Sequence, residues 1–327
     1  MVFLMAQHFL LSAAAKTLSL STVARMSEED ARSTFQRIRW ANNDGEPYCP
    51  RCGCLTVKAL ATRPVWKCGG CKHQFSVTSG TIFDNRKRPV RDYLLAIAIF
   101  VNGVKGYSAL QLSRDLNCQY KTAFVLVHKL REAIAAEQEG VTLSGTVEVD
   151  GAYFAGHQKP KNRVDERIDR RMAEEQTGKR KVVIVMRERG GRTLPFVMRK
   201  ESEGAPVIRK RVAIGSTIHA DEAGGWDSLH AHYEMRRVNH SIAYSMDGAC
   251  TNQAESYFSR LRRSEIGIHH RIGARLLGRY ATEMAWREDR RRVSNGEQSA
   301  EVMALALNHP VSREWAGYWQ RNKKQAA

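Results

Sequence analysis

The middle of the chain alternates apolar and polar residues in short runs, which is the pattern of β-strands. The longest run covers residues 146–154 and is rich in β-branched residues. Runs at 181–187 and 194–198 flank a Gly-Gly turn and predict a β-hairpin. A further run at 217–221 ends on Asp221. Together these runs predict a β-sheet in the central part of the chain.

Apolar residues at helical spacing occupy the stretch before this sheet. Pro89 begins one helix, Ser108 caps a short second helix, and a longer helix begins near Tyr120. A short helix, a tight turn and a longer helix form the helix-turn-helix layout, in which Tyr120 and Lys121 at the exposed start of the longer helix would contact DNA. A helical connector without DNA contacts has the same periodicity, so the pattern alone leaves both interpretations open.

Four cysteines form two C-x2-C pairs, Cys49 with Cys52 and Cys68 with Cys71. Each pair directs two thiolates toward one centre, and two such pairs complete the tetrahedral set that zinc prefers. Short runs at 57–60, 65–67 and 74–77 predict three small strands around the pairs. We therefore expect a zinc ribbon with one structural Zn2+, with Cys54 outside the ligand set.

The charge of the chain narrows the possible partners. Lysine and arginine total 52 against 34 acidic residues, which gives a net charge of +18. A chain this basic favours polyanionic partners, usually nucleic acid or an anionic membrane surface. No apolar run approaches the ~20 residues of a membrane span. The odd number of cysteines, seven, rules out complete disulfide pairing and favours a reducing, intracellular location.

Three acidic residues stand at positions suited to a metal site. Asp150 lies within the longest strand, Asp221 ends a later strand, and Glu255 lies near the start of a predicted helix. An aspartate in a buried strand is costly unless it pairs or binds a cation, and carboxylates are ligands that Mg2+ prefers. Each acid alone has an ordinary alternative, namely a turn, a helix cap or a solvated surface. The order and spacing of all three favour a site for divalent cations.

Arginines follow the third acid on the same predicted helix. Arg262 stands two helical turns after Glu255, so both side chains project to one face. Arg260 and Arg263 are its neighbours, and an arginine fork is well suited to gripping a DNA phosphate. We expect these three arginines to contact DNA.

The combination resembles the bacterial insertion-sequence transposases of the DDE superfamily, in the branch that carries an amino-terminal zinc ribbon before a ribonuclease H-like catalytic domain. The resemblance covers nearly the whole chain, from about residue 5 to about residue 321. The motifs that carry it are CPRCG at 49–53, WKCGGC at 66–71, VDGAY at 149–153, ADE at 220–222, VNHS at 238–241, TNQAES at 251–256 and WRED at 286–289.

The resemblance implies the roles of the site residues. Asp150 and Asp221 match the first two catalytic aspartates of the family, and together with the third acid they would bind two Mg2+ or Mn2+ ions. The third position is Glu255 or Asn252, because members of this branch carry glutamate or asparagine there. We favour Glu255 as the better Mg2+ ligand, with Asn252 orienting water or the metal shell. Arg262 replaces the usual lysine after the third acid.

The resemblance also implies the activity and the partners. The activity is metal-dependent DNA cleavage and strand transfer at the terminal inverted repeats of an insertion sequence. The partners are double-stranded DNA, both terminal repeats and target, and a second copy of the chain, at least as a dimer on paired ends. The implied location is the bacterial cytoplasm, in association with the nucleoid. The alternatives are a catalytically idle zinc-ribbon and helix-turn-helix DNA-binding protein derived from a transposase, and a general ribonuclease H-like nuclease.

The predicted fold is α/β, a ribonuclease H-like mixed sheet flanked by helices, with smaller modules before it. Residues 1–23 are apolar, but Lys16 interrupts the run instead of preceding it, so we expect an amphipathic arm and not a signal peptide. The charged stretch 157–180 is predicted to be an insertion. The predicted segments are a helical arm at 1–45, the zinc ribbon at 46–80, the helix-turn-helix-like segment at 88–138, the catalytic domain at 145–295 and a carboxy-terminal tail at 296–327.

Overall fold

The computed structural model describes residues 8–154, 161–167, 180–238, 245–246 and 249–320. Most of the predicted charged insertion, the last three residues of the VNHS motif and the last seven residues of the predicted tail lie outside the described residues. The chain divides into two compact units. The first contains Met1–Glu137 with Arg290–Ala327, and the second contains Gln138–Asp289.

Helices and strands are numbered in chain order. The helices are α1 Leu20–Arg25, α2 Glu28–Arg39, α3 Val90–Asn102, α4 Ala109–Asp115, α5 Tyr120–Ala136, α6 Ala205–Arg211, α7 Asn252–Ser264, α8 Leu277–Asp289 and α9 Asn295–Asn308. The strands are β1 Val57–Ala59, β2 Trp66–Cys68, β3 Gln74–Phe75, β4 Thr146–Phe154, β5 Lys181–Glu188, β6 Thr193–Met198, β7 Thr217–Asp221, β8 Glu234–Val238, β9 Ser245–Met246 and β10 Ala249–Cys250. None of the described helices is both long and apolar enough to cross a membrane.

The first unit contains a small three-stranded antiparallel sheet in the order β1-β2-β3. The three predicted strands are confirmed, with ends that differ by one or two residues. The buried ring of Trp40, which follows α2, meets the rings of Trp66 and Phe75 edge-on at 5.5 and 6.3 Å. These aromatic contacts connect the small sheet to the helical part of the unit.

The helices α2, α3, α5 and α9 pack together in the first unit. The carboxylate of Glu28 in α2 accepts the backbone N–H groups of Val90 and Arg91 at 2.8 and 3.0 Å, which satisfies two donors at the start of α3. Pro89 and Gly103 flank α3, as the sequence predicts.

The segment 296–327, predicted as a carboxy-terminal tail, begins with helix α9, which packs on α2, α3 and α5. Ser294 and Glu297 form a capping box at its start, and Val302 and Leu307 are buried. The segment is therefore part of the first unit. The capping box and the spacing of these apolar residues were already visible in the sequence.

The second unit contains a five-stranded mixed sheet in the order β6-β5-β4-β7-β8. Strands β4, β5 and β6 are antiparallel neighbours, whereas β4, β7 and β8 are parallel. Helices lie on both faces, so the predicted α/β class with a mixed sheet flanked by helices is confirmed. The topology places β4 at the centre of the sheet.

The residues of β4 alternate between the two faces of the sheet. Val147 and Val149 lie in one core cluster with Ile208 of α6, whereas Ala152 and Phe154 lie in the other with residues of α7 and α8. Side chains two residues apart on a strand share a face, so Asp150 projects to the side of α7.

Candidate active site

Asp150 and Asp221 lie at the same level on adjacent parallel strands. Val149 of β4 pairs with Ala220 of β7, and each aspartate is the next residue of its strand. Neighbouring strands are about 4.8 Å apart, and residues in register project to the same face. The sheet therefore brings together two acids that are far apart in the sequence.

Asp150 lies in an environment that disfavours its negative charge. Its pKa is raised to about 7, chiefly by burial, although the backbone N–H of Gly151 donates a hydrogen bond of 2.7 Å to the carboxylate and acts in the opposite direction. The neighbouring carboxylates of Asp221, Glu201 and Glu255 contribute to the same rise. A cation between these groups would offset their repulsion.

The carboxylate of Asp221 is held by its own loop. The indole Nε1–H of Trp226 and the backbone N–H of Ala223 both donate to Oδ1, at 2.8 and 3.2 Å. Neither of these hydrogen bonds involves Oδ2. One oxygen thus fixes the orientation of the group, and the other keeps its capacity to bind a ligand.

Glu255 lies on α7 and lines a cleft of about 570 Å3 together with Asp150. Arg262 and Arg263 line the same cleft and are exposed. Asn252 is exposed at the first position of α7 and is not among the residues that line the cleft. Because Glu255 shares this cleft with Asp150 and its carboxylate helps to raise the pKa of Asp150, we keep Glu255 as the predicted third ligand. We refer to Asp150, Asp221 and Glu255 as the acidic triad.

Glu201 is a fourth acid that the sequence analysis missed. A Cβ at Gly151 would lie 2.0 Å from its Oε1, so the glycine provides the space for its carboxylate. Burial, and to a smaller extent Asp221, raises the pKa of Glu201. The glycine that follows Asp150 was the one sequence signal for this approach, since glycine in a strand often marks close contact.

The donor set of the site fits a hard divalent cation, because all of these side chains offer carboxylate oxygens. Among the described residues, no three carboxylates have oxygen atoms that all lie within 4.8 Å of one another. Like charges repel at short range, and this repulsion opposes a closer approach of the acidic triad.

Four cysteines form a second candidate metal centre, in the first unit. The sulfur atoms of Cys49, Cys52, Cys68 and Cys71 all lie within 4.8 Å of one another. Two of the separations, Cys49 to Cys71 and Cys52 to Cys68, are 3.6 Å. A zinc tetrahedron with bonds of about 2.3 Å has sulfur atoms about 3.8 Å apart, so the cluster fits zinc. Cys54 lies outside this cluster, as predicted.

Two protein families match the chain where these two centres lie. The ISXO2-like transposase domain matches residues 142–289, which include the acidic triad. The transposase zinc-ribbon domain matches residues 26–74, which include the four cysteines. Together the two matches cover more than half of the chain. The chain belongs to the ISXO2-like transposase family.

A comparison with a single whole protein also supports the transposase family. The chain is 25% identical over 251 residues to a protein of Halobacterium salinarum that is described as an uncharacterized protein in transposable element ISH50. The alignment covers 73% of this chain and 83% of the relative. The resemblance to transposases stated from the sequence motifs is therefore confirmed, and the zinc-ribbon match together with the cysteine cluster supports a structural zinc ion.

In this member of the transposase family, Arg260 forms an ion pair within its own unit. Its guanidinium donates to the buried carboxylate of Glu288 at 2.8 Å, and it is not among the residues that line the cleft. Arg260 and Arg262 are two positions apart, and residues at that spacing do not share a helix face. The contact of Arg260 with DNA stays a prediction.

The predicted DNA-contacting helix is α5 of the first unit. Tyr120 is 45% exposed, and the exposed Lys121 holds its ammonium group 5.4 Å from the ring centre of Trp319. From Ala123 to Ala133, by contrast, none of the residues is exposed. Only the first turn of α5 is thus accessible, and DNA contact through this helix would involve Tyr120, Lys121 and their immediate neighbours.

Proposed function

We propose that the chain is an active transposase that cleaves DNA at the terminal inverted repeats of its insertion sequence and joins the freed ends to target DNA. The observation that carries the proposal is that Asp150 and Glu255 share one cleft with the exposed Arg262 and Arg263, while Asp221 lies beside Asp150 on the neighbouring strand. Carboxylates alone would repel DNA, and arginines alone would only bind it. The combination supports chemistry at a phosphodiester.

The acidic triad would hold two Mg2+ or Mn2+ ions, which when bound polarise the scissile phosphate and activate the attacking oxygen. Asp150 and Asp221 present their carboxylates from the rigid centre of the sheet, and Glu255 presents its own from α7. Asn252, one helical turn before Glu255, would orient water at the edge of the site.

Arg262 and Arg263 would bind the DNA phosphates next to the scissile bond. Arginine donates two parallel hydrogen bonds to a phosphate, which fixes the angle of the strand as well as its distance. Tyr120, Lys121 and the zinc ribbon would add further contacts with DNA. Binding to the phosphate backbone by a chain of this charge is salt-dependent.

The reaction needs two displacements at phosphorus. In the first, water attacks the phosphodiester at the element end, and the bond to the 3′-oxygen breaks to leave a 3′-hydroxyl. In the second, that 3′-hydroxyl attacks a target phosphodiester, so that one P–O bond forms as another breaks. Both element ends must reach the target together, so we expect self-association at least as a dimer on paired ends. The DNA substrate places the protein on the nucleoid in the cytoplasm.

Nicking of an oligonucleotide duplex that carries the terminal repeat tests this proposal. We expect cleavage only with Mg2+ or Mn2+, and a loss of about three orders of magnitude or more in Asp150→Ala and Asp221→Ala, since each removes several kcal/mol of transition-state stabilisation. DNA binding measured by gel shift should persist in both variants. Wild-type cleavage by either variant would contradict the assignment of the site.

The third ligand is tested by separate replacements in the same assay. We expect Glu255→Gln to lose cleavage to a similar extent as the aspartate variants, and Asn252→Ala to lose about tenfold to 100-fold, as outer-shell groups do. The reverse order would assign the third position to Asn252. Equal tolerance of both changes would show that neither residue is the third ligand.

A further inference from the structure

The side chain of Arg189 contacts all three elements that lead to the acidic triad. Its Nε donates to Glu148 of β4 at 2.9 Å, and its Nη2 lies 3.1 Å from Nδ1 of His219 in β7. The same Nη2 donates to the carbonyl oxygen of Cys250, which ends β10 just before α7, at 3.2 Å. Glu148 and His219 each stand two residues before the aspartate of their own strand, and so share its face.

Glu148 connects β4 to the start of α7. Its carboxylate Oε2 accepts the backbone N–H groups of Gln253 and Ala254 at 2.8 and 3.2 Å. Thr251, the residue at the helix cap, makes no side-chain capping hydrogen bond, so the carboxylate from the strand takes that place. An anion at this point satisfies free N–H donors and lies at the positive end of the helix dipole. The next residue of the helix is Glu255.

His219 accepts hydrogen bonds from two neighbours at one ring nitrogen. The guanidinium of Arg189 donates to Nδ1 at 3.1 Å. The backbone N–H of Cys250 donates to Nδ1 at 3.2 Å, from the same side as Arg189. Because both neighbours are donors, Nδ1 is the unprotonated nitrogen and acts as an acceptor. The neutral histidine thereby joins β7 to the strand that precedes α7.

We propose that Glu148 and Arg189 are positioning residues that set the spacing of the acidic triad by holding β4, β7 and the start of α7 in a fixed arrangement. The inference rests on the proposed function, because it assigns a role in the same metal site. Glu148 is fully buried, and a buried ion pair gains little net stability, since desolvation offsets most of its attraction. The contribution of the Glu148–Arg189 pair is to fix the geometry of β4, β7 and the start of α7.

A measurement of Mn2+ affinity tests the inference without DNA cleavage. Mn2+ is titrated into the zinc-loaded full chain, and electron paramagnetic resonance reports the concentration of the free ion. We expect Glu148→Gln to weaken Mn2+ binding about 10- to 100-fold, the usual effect of losing a group that orients metal ligands. The matched control is Glu283→Gln, which removes another fully buried carboxylate paired with an arginine, Arg287 of the same helix α8. The control should lose stability and keep wild-type Mn2+ affinity.

A double variant separates positioning from general damage to the fold. If Glu148 acts by placing Glu255, the loss of Mn2+ affinity in Glu148→Gln/Glu255→Gln is smaller than the sum of the two single losses. Additive losses would overturn the inference. Should Glu148→Gln fail to fold, Arg189→Lys serves instead, because lysine keeps the charge but lacks the planar fork that contacts three partners. Arg189→Lys should weaken Mn2+ binding about 10- to 100-fold, as expected for Glu148→Gln.

The outcomes distinguish this inference from the proposed function. If Asp150→Asn and Glu255→Gln bind Mn2+ as tightly as the wild type, the metal site itself is contradicted and the inference fails with it. If those two variants bind weakly while Glu148→Gln and Arg189→Lys bind as the wild type does, only the positioning role is overturned.

Discussion

At the scale of single residues, the negative charge of Asp150 lowers the stability of the folded chain, and this loss of stability depends on pH. Burial holds its folded-state pKa at about 7, whereas an aspartate in an unfolded chain has a pKa of about 3.9. Between these values the unfolded chain releases a proton that the folded chain retains. Stability due to this group therefore falls as pH rises from about 4 to about 7 and changes little outside that range.

Asp150→Asn should remove this dependence. Without Mg2+ or Mn2+, we expect the variant to be more stable than the wild type at pH 7.5, by up to a few kcal/mol of unfolding free energy, and therefore to have a higher melting temperature. At pH 4.5 the difference should be smaller. Thermal denaturation followed by circular dichroism at both values measures it. Asp227→Asn, which changes an exposed aspartate, is the control. An advantage of Asp150→Asn that is equal at both pH values would contradict the raised pKa.

Sequence reasoning found some of the site residues and missed others for physical reasons. Asp150 and Asp221 could be found because each interrupts or ends an apolar strand, where an acid needs an explanation. Glu148 lies in the same apolar strand as Asp150, but the sequence does not show that its carboxylate contacts Arg189 and the start of α7. Glu201 lies outside the predicted strands, and its place beside Gly151 depends on the tertiary fold. The charge of Arg260 likewise does not show its ion pair with Glu288, and its contact with DNA stays a prediction.

At the scale of secondary-structure elements, the start of α6 depends on close packing at Gly204. A Cβ there would lie 2.4 Å from Cδ1 of Ile184, 3.1 Å from a backbone oxygen and 3.2 Å from the ring of Trp226. We expect Gly204→Ala to lower the unfolding free energy by about 1–3 kcal/mol through overpacking. Chemical denaturation measures it, with Gly267→Ala, which meets nothing within 4 Å, as control. Equal stability of the two variants would contradict this packing.

The zinc ribbon should depend on its four cysteines and not on Cys54. The cluster joins the segment before β1 to the end of β2 and the turn after it, and a sheet of this size has little core of its own. We expect Cys68→Ser to lower the bound zinc per chain and to change the fluorescence of Trp66, which precedes it in β2. Cys54→Ser should retain one zinc ion by elemental analysis. Loss of zinc in the Cys54 variant alone would show that the ligand set is wrong.

The elements themselves followed the sequence closely. Four elements occur where the apolar spacing predicts them, because each is long enough to show its strand or helix periodicity. They are the strand at 146–154, the hairpin, and the helices after Pro89 and Ser108. The exposure of α5 could not be predicted, because it depends on residues such as Trp315 that pack on it from the far end of the chain.

At the scale of the whole molecule, the first unit is built from both ends of the sequence. Helix α9 completes the packing of α2, α3 and α5, and Leu307 is buried there. We expect Leu307→Ala to cost about 2–5 kcal/mol and to speed amide hydrogen exchange throughout α3 and α5, while exchange in β4 and β7 stays unchanged. Faster exchange confined to α9 would contradict this packing.

The net charge of +18 and the acidic triad belong to the same proposed reaction. In that proposal, the basic residues would bind the DNA and the local group of acids would bind the cations that support cleavage. Cleavage mapped on a duplex that carries the terminal repeat, beside the same duplex with that repeat scrambled, separates the competing functions. We expect Mg2+-dependent nicks that leave a 3′-hydroxyl at the element end of the first duplex and none at that position in the second. Binding to the repeat without cleavage, or equal cleavage of both duplexes, would contradict a transposase.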